Sequence, residues 1–230
     1  SVVGISANLF TGRSAISLSK EIRTKFGNRH TIVFGGAFPT SSPQKFLVEG
    51  QADAVVLGEG EETLLELMRN FKEKAAGALK NIRGIAYLEA NEIRISPQRD
   101  LGENLDSLPF PAWEFFPKLK LYKTRSRKFP VAPLLTSRGC PFSCIYCSKD
   151  IFKSVFRKRS AENVIEEIDY LVKEFNVRQI DIMDDNFTMD RNRAHRILDY
   201  IIARDYHLAI NLQLGVRADC VDESLLKKMK

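Results

Sequence analysis

The amino-acid sequence predicts an α/β protein made of two consecutive units, because strand-like and helix-like segments alternate along most of the chain. Short runs rich in Val, Ile and Leu recur between longer segments whose apolar residues have helical spacing. This alternation is typical of parallel sheets with right-handed helical crossovers. A proline-punctuated segment, residues 105–113, separates the two units.

The first unit, residues 1–80, is predicted to be a partial doubly wound, Rossmann-like domain. The predicted strands are residues 2–6, 31–34 and 54–57, and the predicted helices are residues 14–26, 43–49 and 62–71. Two of the strands run into glycine turns, Gly35-Gly36 and Gly58-Glu59-Gly60. Glycine at a strand end allows a ligand to approach the backbone closely, although such turns also occur without a ligand. No G-x-G-x-x-G follows a strand, so the dinucleotide fingerprint is absent.

Residues 81–130 are predicted to form a hairpin and an interdomain linker. The alternating segments 81–88 and 92–95 flank Glu-Ala-Asn, which is a hairpin signal.

The second unit, residues 131–230, is predicted to be the beginning of a TIM-type barrel. Residues 131–136, 179–183 and 208–214 are its predicted strands, with helices that start after the N-cap residues Ser160 and Asp190 and a third helix within 221–230. Active sites of such barrels lie at the carboxyl ends of the strands. The pattern ends before a barrel could close, so we expect the chain to be part of a longer protein.

The composition restricts the class of protein and its location. Four cysteines in 230 residues are too few for a disulfide framework. The sequence has neither a secretory leader nor an apolar run of membrane-spanning length, so a reducing, cytoplasmic setting is expected. The net charge of +6 is concentrated in residues 118–128 and 149–159, which are interpreted as solvated surface or as segments that steer an anion. Nucleic-acid binding is not expected, because no aromatic residues recur there at a spacing that would stack successive bases.

Cys140, Cys144 and Cys147 form the main candidate site, in a C-x3-C-x2-C cluster that follows an apolar strand. Three thiols can hold one metal centre but leave it one ligand short, which is where a substrate or cofactor can bind. Structural zinc is the alternative, but it usually needs a second pair of ligands. Cys220 is distant in sequence and is interpreted as a packing thiol.

The cysteine spacing, with Tyr146 directly before the last cysteine, resembles the radical S-adenosylmethionine (SAM) enzymes. That resemblance implies a [4Fe-4S] cluster held by the three cysteines, with the amino and carboxylate groups of SAM on the fourth iron. It also implies reductive cleavage of SAM to a 5′-deoxyadenosyl radical. The expected partners are a reductant such as flavodoxin or ferredoxin and a small-molecule substrate.

The same resemblance implies contacts between this chain and SAM. Asp184 or Asp185 is expected to bind the SAM ammonium, a pairing that charge-assisted hydrogen bonds favour. Arg217, which follows the third predicted strand of the second unit, is a candidate for the SAM carboxylate or for an anionic substrate. Gln213, on that strand, is a weaker candidate. Tyr146 is expected to lie beside the adenine and to contact it through its backbone. The alternatives are a helix cap for one aspartate and a surface position for the arginine.

The first unit resembles the later part of the cobalamin-binding domain that precedes the barrel in one group of radical SAM enzymes. The residues that carry this resemblance, and that would line a cobalamin slot, are Ser6, Gly35, Gly36, Gly58, Glu59 and Gly60. The proline linker, residues 105–113, is similar to the connector between the two domains of that group. Cobalamin is therefore a candidate cofactor, and some members of the group lack it.

Three classes of function follow. The first is a radical SAM enzyme of the cobalamin group, either a methyltransferase or an oxidative cyclase. The second is a methylthiotransferase, which would carry three more cysteines in its N-terminal domain, whereas residues 1–139 contain none. The third is a non-catalytic binding module stabilised by zinc or by a cluster. The substrate is not predicted.

Overall fold

A computed structural model describes residues 1–73, 78–122 and 126–230 of the chain. These residues form two compact units. The first comprises Ser1–Leu101 and Ile145–Lys153, and the second comprises Gly102–Cys144 and Ser154–Lys230.

The first unit is built on a five-stranded sheet whose spatial order equals its sequence order. Its strands are β1 (Val2–Ser6), β2 (Thr31–Gly35), β3 (Ala54–Val56), β4 (Ile85–Glu89) and β5 (Glu92–Ile95). Strands β1, β2 and β3 are parallel, whereas β4 and β5 form an antiparallel hairpin at one edge. The predicted hairpin therefore belongs to this sheet.

Four helices accompany the sheet: α1 (Gly12–Phe26), α2 (Ala37–Ser41), α3 (Pro43–Val48) and α4 (Glu61–Glu73). Side chains of β2 alternate between two apolar clusters, one with Ile32 and Phe34 and the other with Val33. Both faces of the sheet are thus buried at its central strands β2 and β3, as in doubly wound folds. Helix α2 was not predicted, because Pro39 suggests a turn. Pro39 lies in the first turn of α2, where a missing N–H has no cost.

The second unit contains a three-stranded parallel sheet. Its strands, β6 (Val131–Leu134), β9 (Gln179–Ile182) and β10 (Ala209–Leu212), lie in the order β10-β9-β6. Two short antiparallel strands, β7 (Ser137–Arg138) and β8 (Arg157–Lys158), pair with each other. The helices are α5 (Ala161–Phe175), α6 (Arg191–Arg204) and α7 (Glu223–Met229). The predicted α/β class with parallel sheets is confirmed.

Side-chain caps define where the three helices begin. The Ser160 hydroxyl accepts from the backbone N–H of Asn163 at 3.1 Å, and the Asp190 carboxylate accepts from that of Arg193 at 3.0 Å. Asp222 caps α7 in the same way, with a distance of 2.8 Å to Leu225 N. Each cap satisfies a backbone donor that the helix itself leaves unpaired, which contributes about 1 kcal/mol.

The core of the second unit lies between its sheet and its helices. Ile180 and Ile182 of β9 pack there with Val164, Ile168, Leu171, Ala194 and Ile197. Gln179 and Asp181 point to the opposite face of the sheet, because successive side chains of a strand alternate between its two faces. On that face Asp181 accepts from the side-chain amides of Gln179 at 2.7 Å and Asn211 at 3.3 Å.

The proline linker packs within the second unit. Trp113 is buried and donates from its indole N–H to Glu167 at 3.3 Å, while Arg159 pairs with the same carboxylate at 2.5 Å. Asp106 accepts from the N–H of Ser160 at 2.8 Å. The predicted middle segment, residues 81–130, is thus divided, with the hairpin in the first unit and the linker in the second. Within the basic segment 118–128, residues 123–125 lie outside the described residues.

In the described part of the chain, no helix combines the length and the apolar character that a membrane crossing requires.

Candidate functional site

The cysteine loop begins at the carboxyl end of β6 and is bounded by β7 and β8. Ser137 pairs with Lys158 and Arg138 with Arg157, so this short ladder brings the two ends of the loop together. Gly139 follows β7 with φ of 78°, a left-handed conformation that favours glycine. The loop therefore leaves the β7–β8 ladder at Gly139, directly before Cys140.

The three loop cysteines differ in exposure. Cys140 and Cys144 are half-buried and Cys147 is exposed, and none of the four cysteines of the chain forms a disulfide. Cys220 is buried, as a packing thiol would be. Within the described ranges, no three His, Cys, Asp or Glu side chains converge as metal ligands would. The spacing and the chemistry of the donors therefore identify the candidate metal site.

The donor set fits an iron–sulfur cluster. Three thiolates from one loop are soft ligands of the kind that hold such clusters. Cys140, Cys144 and Cys147 are all on this loop, whose ends the β7–β8 ladder holds together. These three cysteines would hold the cluster, and the fourth iron would remain open to another ligand.

Arg217 lies against the cysteine loop. Its guanidinium carbon is 3.7 Å from the centroid of the Phe142 ring, and its Nη1 is 3.9 Å from Sγ of Cys144. Asp219 accepts two hydrogen bonds from the same guanidinium, at 3.0 and 2.8 Å, and this interaction raises the pKa of Arg217. A permanent positive charge is therefore held beside a predicted cluster ligand. Gln213, just beyond β10, is exposed.

The two aspartates after β9 occupy different environments. Asp184 is 2% exposed, and its carboxylate accepts from the N–H of Thr136 at 2.6 Å and from the hydroxyls of Thr136 and Ser137 at 2.5 and 2.6 Å. Asp185 is exposed. Both residues lie beyond Ile182, the last residue of β9, so burial and hydrogen bonding separate them. The structure thus distinguishes two carboxylates that the sequence left as equivalent candidates.

Tyr146 and the preceding Ile145 are almost fully exposed, at 89% and 102%. The Tyr146 side chain therefore has little packing to lose.

In the first unit, the predicted cobalamin residues gather at one edge of the sheet. The register pairs Ser6 of β1 with Gly35 of β2, so these strands end side by side. Gly36 follows with φ of 99°, and a Cβ at this position would lie 2.7 Å from the carbonyl oxygen of Ala7 and 3.0 Å from the Ser6 hydroxyl. Only glycine fits this approach of the two strand ends.

The loop after β3 lies at the same edge. The N–H of Gly58 donates to the Thr40 hydroxyl of α2 at 3.1 Å, which connects the turn that contains Glu59 and Gly60 to the segment after Gly36. A Cβ on Gly58 would meet no atom within 4 Å. The edge thus combines an open backbone surface with the exposed Ser6 hydroxyl, a combination that fits a cofactor bound at strand ends.

Sequence reasoning missed Thr40 and Arg193 as members of these sites. Thr40 lies in a helix that was not predicted. Arg193 is in the first turn of α6 and is 5% exposed, and it lies 3.6 Å from Asp184. A basic residue in the first turn of a helix, where cations are disfavoured, was the available signal.

Comparison with known proteins agrees with this architecture. Residues 134–230 match the model of the radical SAM superfamily. An uncharacterized methyltransferase of Pyrococcus horikoshii is 33% identical over 231 residues, which span the whole of this chain and 49% of that protein. The anaerobic magnesium-protoporphyrin IX monomethyl ester cyclase of Cereibacter sphaeroides is 30% identical over 85% of this chain and 32% of its own length.

A solved structure shares the fold. The cobalamin-dependent SAM radical enzyme OxsB, with aqua-cobalamin and SAM bound, superimposes with a TM-score of 0.72 at 22% identity, over 91% of this chain and 30% of that protein. The present chain thus spans about half or less of each of these proteins.

The parallel α/β fold and the three-thiol loop are typical of an enzyme class that holds an iron–sulfur cluster near the carboxyl ends of parallel strands. The superfamily match covers the cysteine loop, β9 and β10, and it includes only the last residue of β6. Residues 134–230 belong to the radical SAM superfamily, as the cysteine spacing predicted.

Proposed function

We propose that the protein containing this chain is a radical SAM enzyme that cleaves SAM reductively at a cluster held by Cys140, Cys144 and Cys147. The three-thiol loop at the carboxyl end of β6, within the region that matches the superfamily, is the observation that carries the proposal. When bound, the cluster supplies one electron that breaks the bond between sulfur and C5′ of SAM, which gives methionine and a 5′-deoxyadenosyl radical.

The residues around the loop would bind and orient SAM. Asp185, exposed after β9, is accessible to the SAM ammonium, whereas Asp184 is buried. Arg217, beside Cys144, is suited to the SAM carboxylate through Nη1, since Nε and Nη2 already donate to Asp219. Tyr146 and Gln213 are assigned supporting contacts with SAM.

Cobalamin is the further cofactor in this proposal. Ser6, Gly35, Gly36, Gly58, Glu59 and Gly60 would line its slot at the strand ends of the first unit. Bound cobalamin would supply a methyl carrier or a redox centre. The likeness to the cobalamin-dependent enzyme OxsB covers most of the chain and is consistent with this assignment of the first unit.

The reaction proposed for the protein is methyl transfer by radical chemistry. The methyltransferase of Pyrococcus horikoshii, which aligns with the whole chain, favours this class. Oxidative cyclisation is the second candidate, because the cyclase of Cereibacter sphaeroides is nearly as similar in identity. A small-molecule substrate, a flavodoxin or ferredoxin as reductant and a cytoplasmic location complete the proposal.

Anaerobic reconstitution of the complete protein tests the proposal. The purified protein should retain about four irons and four sulfides at this site. It should also release 5′-deoxyadenosine from SAM when it is reduced. Retention of zinc, with no iron–sulfur absorbance and no 5′-deoxyadenosine, would favour the non-catalytic binding module instead.

A separate measurement tests cobalamin. The complete protein, mixed with hydroxocobalamin and passed through gel filtration, should retain corrinoid absorbance. Ser6→Ala should weaken that retention, and Thr24→Ala, on the exposed side of α1, is the matched control. A protein that retains no corrinoid would contradict the assignment of the first unit but leave the cluster assignment intact.

A further inference from the structure

A buried pair of charges connects β9, α6 and the segment that leads into the cysteine loop. Asp184 and Arg193 lie 3.6 Å apart, and their side chains are 0% and 4% exposed. Both contact the same residue, Thr136. Asp184 accepts from its N–H and hydroxyl, while Arg193 donates to its carbonyl and hydroxyl oxygens, at 3.0 Å each. Every polar group of Thr136 is therefore engaged by one charge pair.

The network bears on the cysteine loop because Thr136 lies just before that loop in the chain. Thr136 and Ser137 immediately precede Arg138, Gly139 and Cys140, the first cysteine of the loop. Ser137 also donates its hydroxyl to Asp184 at 2.6 Å. The Asp184 carboxylate thus fixes Thr136 and Ser137, just before the chain enters the loop. The chain that leaves the loop passes nearby, because Arg159 N–H donates to the carbonyl of Thr136 at 3.0 Å.

Asp184 is poorly placed to bind a ligand directly. Its oxygens already accept three short hydrogen bonds, and they lie against a guanidinium that is itself buried. A ligand ammonium would have to displace these partners from a site without solvent, and an unpaired buried charge is strongly unfavourable. Burial lowers the pKa of Arg193, but the nearby carboxylates of Asp184 and Asp190 act in the opposite direction, and an arginine so placed stays charged near neutral pH.

We propose that Asp184 is a positioning residue, which acts with Arg193 to hold the start of the cysteine loop in the geometry that retains the cluster. This inference rests on the proposed function of the loop as a cluster site. Residues that orient metal ligands without touching the metal typically change metal retention by about 10- to 100-fold when they are replaced. Asp185, which is exposed after β9, has the separate task of contacting SAM.

The test compares Asp184→Asn with Asp185→Asn in the complete protein after anaerobic reconstitution. Two quantities are measured: the rate at which iron is lost to an excess of a strong chelator, and the change in the electron paramagnetic resonance signal of the reduced cluster as SAM is added. Asp184→Asn should lose iron at least about tenfold faster than the wild type, while the fraction that still holds a cluster binds SAM within about twofold of the wild type. Asp185→Asn should lose iron at the wild-type rate and bind SAM more weakly than the wild type.

A milder pair of variants keeps the test valid if Asp184→Asn does not fold. Thr136→Val removes the hydroxyl that both charged groups contact but preserves the volume, whereas Thr136→Ser keeps the hydroxyl. Thr136→Val should lose iron faster than Thr136→Ser, even when the two have the same unfolding midpoint in urea. Equal rates of iron loss in these two variants would overturn the positioning role.

The outcomes separate the two proposals. If the wild type holds a cluster and Asp184→Asn sheds iron at the wild-type rate but no longer responds to SAM, Asp184 is a SAM ligand and the positioning role is wrong. If the wild type holds no iron–sulfur cluster, the proposed function fails, and the positioning role fails with it.

Discussion

Arg217 stacks on Phe142, with its guanidinium carbon 3.7 Å from the centroid of the ring. Phe142 lies between Cys140 and Cys144, so the segment after β10 is attached to the middle of the cysteine loop. The loop is therefore held at two places, at its start by Asp184 and in its middle by Arg217. A guanidinium is planar and can stack on the face of an aromatic ring, whereas a lysine ammonium is a compact charge that cannot stack in this way.

The stack predicts a measurable coupling between the two residues. Arg217→Lys and Phe142→Leu should each slow the release of 5′-deoxyadenosine, and the double variant should lose less than the sum of the two. The expected coupling is about 1 kcal/mol, or roughly fivefold in rate. Asp219→Asn, which removes the negative charge paired with Arg217, is the control and should change the rate by less than about twofold. Additive effects would show that the stack has no role in turnover.

Replacing a cluster ligand should abolish cluster binding without unfolding the protein. We expect Cys144→Ala to lose both the iron and the cleavage of SAM, because two thiolates remain where three are needed. Circular dichroism should show that the helices are retained. Cys220→Ala removes a buried thiol outside the loop, so it should cost about 1 kcal/mol of stability and keep the full complement of iron. Equal loss of iron in both variants would contradict the assignment of the ligands.

The side chain of Tyr146 should be dispensable. It is 89% exposed, and the contact that we assign to this position is made by the backbone. Tyr146→Phe should therefore bind SAM within about twofold of the wild type and have the same unfolding midpoint. A loss of about tenfold or more would mean that the hydroxyl contacts SAM, at about 1.4 kcal/mol.

Asp190 should make the stability of the protein depend on pH. Burial acts to raise the pKa of Asp190, but hydrogen bonds from the Lys158 ammonium and from the N–H of Arg193 outweigh it, so the pKa lies below its ordinary value. A carboxyl group of this kind stabilises the folded state above its unfolded pKa, and the contribution is lost as the pH falls below about 4.

Urea unfolding of the complete protein between about pH 6 and pH 3 measures this contribution. Asp190→Ala should cost about 1 kcal/mol at pH 6, because the cap of α6 is lost. Asp190→Asn retains a capping oxygen and is the matched control, with a smaller loss at pH 6. Both variants should depend less on pH than the wild type, and an unchanged pH dependence would count against the role of Asp190.

Two glycines of the first unit should respond differently to alanine. Both have positive φ, 99° at Gly36 and 71° at Gly58, but only Gly36 would place a Cβ against neighbouring atoms, 2.7 Å from the carbonyl oxygen of Ala7. Gly58→Ala should therefore cost about 1 kcal/mol of unfolding free energy for the left-handed backbone alone. Gly36→Ala should cost clearly more, since the strand ends must also move apart. Equal losses in urea unfolding would contradict the predicted clash.

The features that sequence reasoning predicted well depend on local patterns. Short apolar runs identified the parallel strands, and the N-caps Ser160 and Asp190 were correct because a cap involves residues only three positions apart. The cysteine spacing identified the superfamily for the same reason, since all three ligands lie in one loop. Helix α2 was missed, because its short length and Pro39 give it no periodic pattern.

The sequence by itself thus determined the α/β class, the superfamily and the three thiols of the cluster loop. Only the tertiary structure distinguished Asp184 from Asp185, because that distinction depends on which carboxylate is buried and on what is packed around it. It also decided that Arg217 meets Phe142, and that Arg193 meets Thr136, far apart in the chain. Such contacts follow from the packing of strands and helices that are distant in sequence, and no local spacing of residues encodes them.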